Sequence, residues 1–388
     1  MTDVLEADSY ALWIRRTLAR ARAAGGGRIV PLFDSSVPEP ADLLTATLAR
    51  AFAPPVTDRY VSAFSGGNPH VVAHLRRRYG VASEQLLCTT GATAALSMLY
   101  RALLRPGQRI AVETPGFDLF GGIAALHGIA ADTFQRPAPD FALDLDRLAA
   151  AIRPATRMVV VSNLHNPSSA AIPHDQLLAL AQLAEDHDLL VVVDEVYGDY
   201  ADAATRPCAA VSLSPRFVTI SSLTKIYGLS TLRCGWIVGD ADVVARVRAL
   251  ADRFEFGVSN LAHAAAALVM DDAAAFTART HQVLDTARPI AEAAFARWQA
   301  DGWIEGALPR FGCVAFPRLV GIEDTAAFAE WLGDRCGVVV APGEYFGAPG
   351  HVRIGFAQPP ALLAVGLDAM EDGLRHWHSD PHRRIARG

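Results

Sequence analysis

The feature that most constrains the fold is a regular alternation of short, β-branched apolar runs with longer amphipathic runs. Four apolar runs lie between residues 109 and 222, namely RIAVET, MVVVSN, LLVVVDE and RFVTISS. The segments between them, such as DLDRLAAAI and HDQLLALAQLAEDHD, have helical periodicity. Strands that alternate with helices in this way build βαβ units. The sequence therefore predicts an α/β fold with a mostly parallel sheet that helices cover on both faces.

Polar residues directly follow each predicted strand. They are Thr114-Pro115, Asn163 to Asn166, Asp194-Glu195 and Ser221 to Lys225. Ligands of parallel sheets bind just beyond the carboxyl ends of the strands. We therefore expect side chains from these four segments to meet in the functional site.

The pattern changes after residue 270. A long helical region, roughly Ala273 to Ala300, is followed by GCVAFPRL, GVVVAPG and HVRIGFA, which are typical of short antiparallel strands. We predict a large domain over residues 46–270, a smaller α+β domain over residues 271–388, and an N-terminal segment, residues 1–45, that packs on the small domain. Glycines 25–27 predict a hinge, and the polar tail from about residue 379 is expected to be disordered. The cleft between the domains is the expected ligand site.

Composition excludes several classes of protein. The net charge is −6 and the acids and bases are interspersed, so no basic stripe is present and we expect no nucleic-acid partner. The segment Met1–Gly27 alternates apolar with charged residues, which predicts an amphipathic helix rather than a signal peptide or membrane span, and hence a cytoplasmic protein. The five cysteines lack metal-ligand spacing, so we expect neither disulfides nor a bound metal.

One lysine lies at the end of the last predicted strand of the sheet region. Lys225 follows Ser221-Ser222-Leu223-Thr224 and precedes Arg233 by eight residues. A lysine among hydroxyl groups at this edge of a sheet is suited to form an imine with a carbonyl compound. Taken alone, the motif is also compatible with an ordinary loop lysine at the surface.

An aspartate ends another buried run. Asp194 closes LLVVVDE, and a buried acid in that place is costly unless it meets a positive partner. A pyridinium N–H is such a partner, and the alternative is an aspartate that caps the next helix. Tyr197 and Asn166 lie close by in the sequence and carry a phenol and an amide, both of which can hydrogen-bond a ring hydroxyl.

A third motif joins a strand to a helix through glycine. Gly91, Ala92 and Thr93 stand between the apolar run LLCTT and the helical run AALSMLYRALL. The N–H groups and dipole of such a helix start suit a phosphate, although an ordinary helix start has the same pattern.

Together these motifs resemble the class I/II aminotransferases, which are pyridoxal-phosphate (PLP) enzymes of fold type I. The resemblance extends from about residue 29 to residue 373. It rests on TTGATAAL, ETPGFDLF, SNLHNPSS, VVVDEVY, SSLTKIYGLSTLRCGW and HVRIGFA, which follow the order of the family. It implies that the sheet of the large domain is of the seven-stranded type found in the family. It also implies PLP as the cofactor, an amino acid and a 2-oxo acid as substrates, and a homodimer with shared active sites.

The resemblance also implies roles for individual residues around the cofactor ring. Lys225 would carry PLP as a Schiff base, the internal aldimine, and would later shuttle the substrate α-proton through quinonoid and ketimine states. Asp194 would keep the pyridine nitrogen protonated, so that the ring accepts electrons. Asn166 and Tyr197 would hydrogen-bond the ring 3′-oxygen.

Further implied contacts hold the phosphate, the ring face and the substrate. The implied phosphate ligands are Gly91, Ala92, Thr93, Ser222 and Arg233. Phe117 would stack on the ring, the alternative being an ordinary core position. Arg353 and Asn166 would bind the substrate, with the Arg353 guanidinium on the α-carboxylate, the alternative being an internal ion pair.

Two parts of the chain depart from the family. Tyr60 matches a tyrosine that reaches the phosphate of the neighbouring subunit, but it lies two residues farther than usual from the following glycine. Pro167-Ser168-Ser169 and Ser230-Thr231 also differ from the family pattern. The side chain of the substrate is expected to meet the loops around residues 33–38 and 63–67.

Two other classes of function remain. An enzyme of specialised amino-acid metabolism could use the same lysine, aspartate and arginine for elimination, replacement, cyclisation or oxidation. A regulator that senses PLP, or an inert scaffold, would normally add a DNA-binding module or lose the lysine. A dinucleotide-binding fold is not supported, because no GxGxxG follows the first strand.

Overall fold

The structure is a computed structural model that describes residues 9–23, 29–62, 66–254 and 257–379. The predicted glycine hinge and most of the predicted disordered tail lie outside these residues. The helices are α1 (Tyr10–Ala23), α2 (Ala41–Phe52), α3 (Pro69–Tyr79), α4 (Ala92–Leu103), α5 (Leu119–Leu126), α6 (Leu145–Ala151), α7 (His174–Asp186), α8 (Ala241–Phe254), α9 (Asn260–Asp271), α10 (Ala273–Ala300), α11 (Thr325–Cys336) and α12 (Pro360–Ser379).

The strands are short except in the central sheet. They are β1 (Val30–Pro31), β2 (Leu86–Thr89), β3 (Arg109–Thr114), β4 (Ala130–Gln135), β5 (Thr156–Ser162), β6 (Leu190–Asp194), β7 (Phe217–Ser222), β8 (Gly235–Val238), β9 (Ile304–Glu305), β10 (Val314–Ala315), β11 (Arg318–Leu319), β12 (Val338–Val339), β13 (Ala341–Pro342) and β14 (Val352–Gly355).

The central sheet has seven strands in the order β2-β8-β7-β6-β5-β3-β4. Strands β4, β3, β5, β6 and β7 pair in parallel, whereas β8 is antiparallel to both of its neighbours. The predicted α/β fold with a mostly parallel seven-stranded sheet is therefore confirmed. The carboxyl ends of β5, β6 and β7 lie side by side at one edge.

Both faces of this sheet are apolar, because successive residues of a strand point to opposite faces. Val160, Val192 and Val218 belong to one buried cluster together with helix α4. Val159 and Val191 belong to a second cluster with helices α6 and α7. The β-branched runs of the sequence thus fill two helix-covered layers.

The C-terminal part has its own core. Trp298 of α10, Phe328 of α11 and Met370 of α12 are fully buried in one cluster, which also contains Trp13 of α1. Strands β10, β14 and β13 form the expected antiparallel sheet. The segment GVVVAPG was expected to be antiparallel, and this is only partly right. Its β13 is antiparallel to β14, but its β12 pairs in parallel with β1 near the N-terminus. Two-residue strands carry too little alternation to reveal the direction of pairing from sequence.

No single described helix is long and apolar enough to cross a membrane. Helices α9 and α10 reach the required length and composition only as a pair, and they are bent by 78° at their junction. The alanines at 264–267 of α9 are buried, and those at 265–267 belong to a cluster that contains Leu86 and Trp236 of the central sheet.

Candidate active site

A cavity of about 400 Å³ opens at the carboxyl ends of β5, β6 and β7. Ser162, Asp194 and Ser222, the last residues of these strands, line its floor. Across from them lie the loop 33–36, the first turns of α1, and Arg353 of β14. The cavity therefore lies where the two cores meet, as expected for a ligand site of this fold.

Lys225 extends into this cavity from the loop that follows β7. Its Nζ donates a hydrogen bond to Ser35 Oγ at 2.9 Å and lies 5.7 Å from the centre of the Tyr197 ring. Burial and the nearby Arg353 charge lower the pKa of Lys225 to about 8. Close to neutral pH a useful fraction of this amine is unprotonated, which is the form that attacks a carbonyl group.

The chain contains no second lysine. Lysine and arginine together number 35, and Lys225 is the single lysine among them. Arginine serves at least as well as lysine for surface charge and ion pairs, but its guanidinium is always protonated in proteins and forms no imine. A lone lysine inside a cavity therefore points to a role that needs an amine. This signal was not among the sequence-based predictions, although a count of lysines in the sequence contains it.

Asp194 lies on the floor of the cavity. It is the last residue of β6, and its Oδ1 accepts a hydrogen bond from Val196 N at 3.0 Å. Burial raises the pKa of this carboxyl to about 7. A cationic N–H partner would stabilise the ionised form of this buried carboxyl and so restore its ordinary ionisation.

Tyr197 and Asn166 line the same floor. The Tyr197 side chain is 2% exposed, and its Oη has no hydrogen-bond partner among the described residues. Burial raises the pKa of Tyr197, so the phenol stays neutral and can donate. The Asn166 backbone N–H donates to Ser162 Oγ at 3.0 Å, which fixes this loop against the end of β5. An unsatisfied buried phenol indicates a polar ligand atom in the cavity.

The cavity extends to the start of helix α4, where Ala92, Thr93 and Arg233 line a cradle. Gly91 has φ = 104° and offers no side-chain cap, so the first N–H groups of α4 are free for an anion. A Cβ on Gly91 would come within 2.7 Å of Arg233 Nη2, and one on Gly235 within 2.6 Å of the Gly91 backbone. Arg233 is held there by a hydrogen bond from Nη2 to the Thr90 carbonyl at 3.1 Å.

Arg353 is 2% exposed, yet it forms no salt bridge among the described residues. Its Nη1 donates to Asn166 Oδ1 at 2.9 Å, and its Nη2 donates to Tyr10 Oη at 3.0 Å and to the Phe33 carbonyl at 3.1 Å. Its Nε has no partner. The alternative of an internal ion pair is thus not found in the described part of the chain. A buried guanidinium with neutral partners and a spare N–H is suited to a carboxylate ligand.

Ten of the residues singled out from the sequence line the cavity. They are Ala92, Thr93, Phe117, Asn166, Asp194, Tyr197, Ser222, Lys225, Arg233 and Arg353. Gly91 adjoins the cradle as the residue before α4. Tyr60 is not brought into the cavity of its own chain, because its side chain is 52% exposed and packs on Phe52.

The polar lining residues that were not among the sequence-based site predictions include Tyr10, Asp34, Ser35 and Asp118. Asp34 and Ser35 fall within the loop 33–38 that was expected to meet a substrate, but no residue of it was chosen. Tyr10 has no local motif, since it reaches the site through the packing of α1, with Trp13, on the C-terminal core. In the second expected loop, residues 63–65 lie outside the described part, and Gly66 and Gly67 do not line the cavity.

These groups fit the chemical parts of PLP. An uncapped helix start beside Arg233 suits the phosphate, the buried Asp194 carboxyl suits the ring nitrogen, and the unpartnered Tyr197 phenol suits the ring oxygen. Lys225 offers an amine with a lowered pKa for the aldehyde. The fit rests on the donor set of this chain.

Comparison with known proteins gives matches along most of the chain. Residues 65–370 match the family model "Aminotransferase class I and II". Capreomycidine synthase of Streptomyces vinaceus is 33% identical over 74% of each chain. A probable N-succinyldiaminopimelate aminotransferase of Mycobacterium tuberculosis is 30% identical over 72% of each chain. Arginine–pyruvate transaminase of Pseudomonas aeruginosa is 27% identical over 96% of this chain and 95% of its own.

Solved structures share the fold. A mutant of Thermus thermophilus aspartate aminotransferase superposes with a TM-score of 0.84 at 23% identity, covering 95% of this chain and 97% of its own. A PLP-dependent aminotransferase from Streptococcus suis gives 0.82 at 22% identity, covering 95% of this chain and 98% of its own. At these identities the likeness extends to the fold alone.

Proposed function

Because the chain belongs to the class I and II aminotransferase family, we propose that it transfers an amino group between an amino acid and a 2-oxo acid, with PLP as its cofactor. The observation that carries this proposal is the single lysine of the sequence, which lies in the cavity with a lowered pKa. An aminotransferase needs one amine that releases and recaptures a carbonyl group and moves a proton in between.

In this proposal, individual side chains of the cavity carry the parts of the reaction that the protein performs. When bound, PLP supplies an aldehyde and an electron-withdrawing ring. Lys225 Nζ would hold that aldehyde, and its amine, when free, would serve as the base and acid that moves the substrate Cα proton. Asp194 would keep a proton on the ring nitrogen by its charge, and Tyr197 Oη and Asn166 would hold the ring oxygen.

Arg353 orients the substrate in this proposal. Its two outer nitrogens are held by Asn166, Tyr10 and Phe33, so the plane of the guanidinium is fixed before the substrate arrives. A carboxylate bound to it would direct the α-carbon toward Lys225. Phe117 lines the wall beside the cradle and would cover one face of the cofactor ring.

A homodimer with shared active sites is part of this proposal. Tyr60 is exposed in its own chain, which leaves its hydroxyl free to reach a partner subunit. The predicted cytoplasmic location and the predicted domain boundaries stay predictions of the sequence.

A second function has one specific observation in its favour. The relative named capreomycidine synthase, at 33% identity, carries the name of a synthase rather than a transaminase. An enzyme of elimination, replacement, cyclisation or oxidation would need the same lysine, aspartate and arginine. The two proposals differ in the fate of the amino group, which an aminotransferase passes on reversibly.

The absorbance spectrum of the purified holoenzyme during addition of amino acids distinguishes them. The proposal predicts that the cofactor band shifts to that of the amine form of the cofactor and returns on addition of a 2-oxo acid. Release of ammonia or hydrogen peroxide without return of the band would favour the second function. Absence of a cofactor band after incubation with PLP would overturn both.

A further inference from the structure

The cavity contains more charge than the cofactor and an α-amino acid backbone require. Its charged lining residues among the described part of the chain are Asp34, Asp118, Asp194, Lys225, Arg233 and Arg353. Under the proposed function, the last four serve the cofactor ring, the imine, the phosphate and the α-carboxylate. The two that remain, Asp34 and Asp118, are both carboxylates, and the described residues of this chain leave no further lining cation for an acidic side chain.

These two carboxylates both lie near Tyr10. Asp118 Oδ2 accepts a hydrogen bond from Tyr10 N at 3.3 Å, and Asp34 directly follows Phe33, whose carbonyl accepts from Tyr10 Oη at 3.4 Å. Neither carboxylate forms a salt bridge among the described residues. Burial raises the pKa of Asp34 and of Asp118. A hydrogen bond from Gln358 and the charges of Lys225 and Arg353 oppose the rise at Asp34, and backbone hydrogen bonds and the Arg353 charge oppose it at Asp118. A further cationic group beside these carboxylates would favour their ionised forms.

Two buried, unpartnered groups show that a ligand belongs in this cavity. Arg353 Nε and Tyr197 Oη lack hydrogen-bond partners, and each side chain is 2% exposed and lines the cavity wall. Arg353 also contacts both Tyr10 and the loop that carries Asp34. A substrate held by its carboxylate on Arg353 therefore starts beside Tyr10, where the two aspartates lie.

Apolar side chains line the wall next to the aspartates. Ile14 lies one helical turn after Tyr10, and Leu119 directly follows Asp118; both line the cavity. Lysine-like and arginine-like side chains combine an aliphatic stem with a charged end, so they match a wall of this composition. An acidic or short polar side chain would leave the aliphatic wall uncovered and two carboxylates unpaired.

We propose that the amino donor of this enzyme has a cationic side chain, an ammonium or a guanidinium, and that Asp118 and Asp34 bind its charge. This inference rests on the proposed function, because it takes Arg353 as the site of the α-carboxylate. Tyr10 is a positioning residue here, since its N–H holds Asp118 and its hydroxyl holds Arg353.

The test compares donors that have one shape and differ in charge. Arginine and citrulline, and lysine and norleucine, are suitable pairs, with glutamate as the acidic donor. Conversion of the holoenzyme to its amine form is followed by absorbance under single-turnover conditions. A charge-assisted hydrogen bond in a partly buried site predicts kcat/KM about tenfold or more higher for arginine than for citrulline.

Variants assign this preference to the two carboxylates. Asp118→Asn and Asp34→Asn keep the size of the side chain and should raise KM for arginine about tenfold, reducing the arginine-to-citrulline ratio toward one. Asp146→Asn, at an exposed carboxylate in the first turn of α6, is the matched control and should leave the ratio unchanged. A merely structural role of Asp118 would lower kcat/KM for both donors alike.

Equilibrium binding gives a second readout that is independent of turnover. Lys225→Ala holoenzyme should bind arginine more tightly than citrulline, and Asp118→Asn in that background should remove the difference. Equal or stronger reaction and binding with citrulline, norleucine or glutamate would overturn the inference while leaving transamination intact. If no amino acid of the panel converts the cofactor, the proposed function itself fails.

Discussion

Lys225 combines a buried amine, a neighbouring guanidinium and the absence of any second lysine in the sequence. These properties make the covalent attachment of the cofactor unusually easy to examine. Any lysine that borohydride fixes to PLP must be Lys225, and the only other amine of the chain is its amino terminus.

Replacement of Lys225 by alanine should leave PLP bound without a covalent link and lower kcat by at least about a thousandfold, because the amine both holds the aldehyde and moves the proton. Mass spectrometry after borohydride reduction measures the link. Lys225→Arg is the matched control that keeps the positive charge, and it should fail equally. A covalent adduct in either variant, or retained turnover, would contradict the assignment.

The lowered pKa of Lys225 predicts the pH dependence of cofactor attachment. Only the neutral amine attacks the aldehyde, and its fraction grows as the pH rises through the pKa. The rate of imine formation by apoprotein and PLP should therefore rise up to about pH 8 and then level off. A stopped-flow series from about pH 6 to about pH 10 would show this, and a rate still climbing near the ordinary lysine pKa would contradict it.

Arg353→Ala tests whether the Arg353 charge contributes to the lowered pKa of Lys225. The Arg353 charge lowers the pKa of Lys225, so its removal should move the midpoint of the same profile to higher pH. An unchanged midpoint would leave burial as the sole cause.

At the level of single elements, the sequence predicted what periodicity encodes. The strands β3, β5, β6 and β7 and the helix Ala273–Ala300 were predicted because valine runs and long amphipathic repeats are strong local signals. The parallel pairing of β1 with β12 was not predicted. A two-residue strand shows no periodicity, and the partner strand lies about three hundred positions away. Tyr10 and Asp118 escaped the site prediction because they meet only in the tertiary structure, 108 positions apart in the sequence.

The turn from β2 into helix α4 depends on close backbone approach, which glycine allows. A Cβ on Gly235 would lie 2.6 Å from the Gly91 backbone and 2.9 Å from Ala92 N. Gly235→Ala should therefore displace the start of α4, weaken PLP binding on the order of tenfold and cost roughly 1–3 kcal/mol of stability. Fluorescence titration with PLP and thermal unfolding measure the two effects.

Gly121→Ala is the matched control for this substitution. Gly121 lies inside helix α5, where the nearest atom to an added Cβ is 3.9 Å away. Its replacement should leave PLP affinity unchanged and alter stability by less than about 1 kcal/mol. Equal PLP affinity of the Gly235→Ala and Gly121→Ala variants would show that the cradle binds PLP even when the start of α4 is displaced.

At the scale of the whole molecule, the cavity is built from both ends of the chain. Tyr10 and Arg353 are 343 positions apart and share a hydrogen bond at the cavity wall. Sequence patterns located the floor of the site, because the floor consists of strand ends with local signatures. The wall depends on how the N-terminal segment and the C-terminal core meet. The family resemblance predicted its Arg353, whereas Tyr10 and Asp118 were found only in the structure.

The proposed dimer makes its own prediction. The native mass should be twice the chain mass of 41.4 kDa, and Tyr60→Phe should weaken PLP binding about three- to tenfold through the lost hydroxyl contact with the phosphate of the partner subunit. Val56→Ala, at a similarly exposed position of the same segment, is the control. A monomer with full activity, or unchanged affinity in Tyr60→Phe, would contradict this part of the account.

The most direct test of the central claim follows the amino nitrogen itself. Holoenzyme is incubated with an amino donor labelled with heavy nitrogen and an unlabelled 2-oxo acid, and the products are separated by mass spectrometry. The account predicts that the label appears in the amino acid formed from the 2-oxo acid, and that Lys225→Ala abolishes this transfer. Label that is found only in ammonia, or that stays in a rearranged donor, would contradict the account.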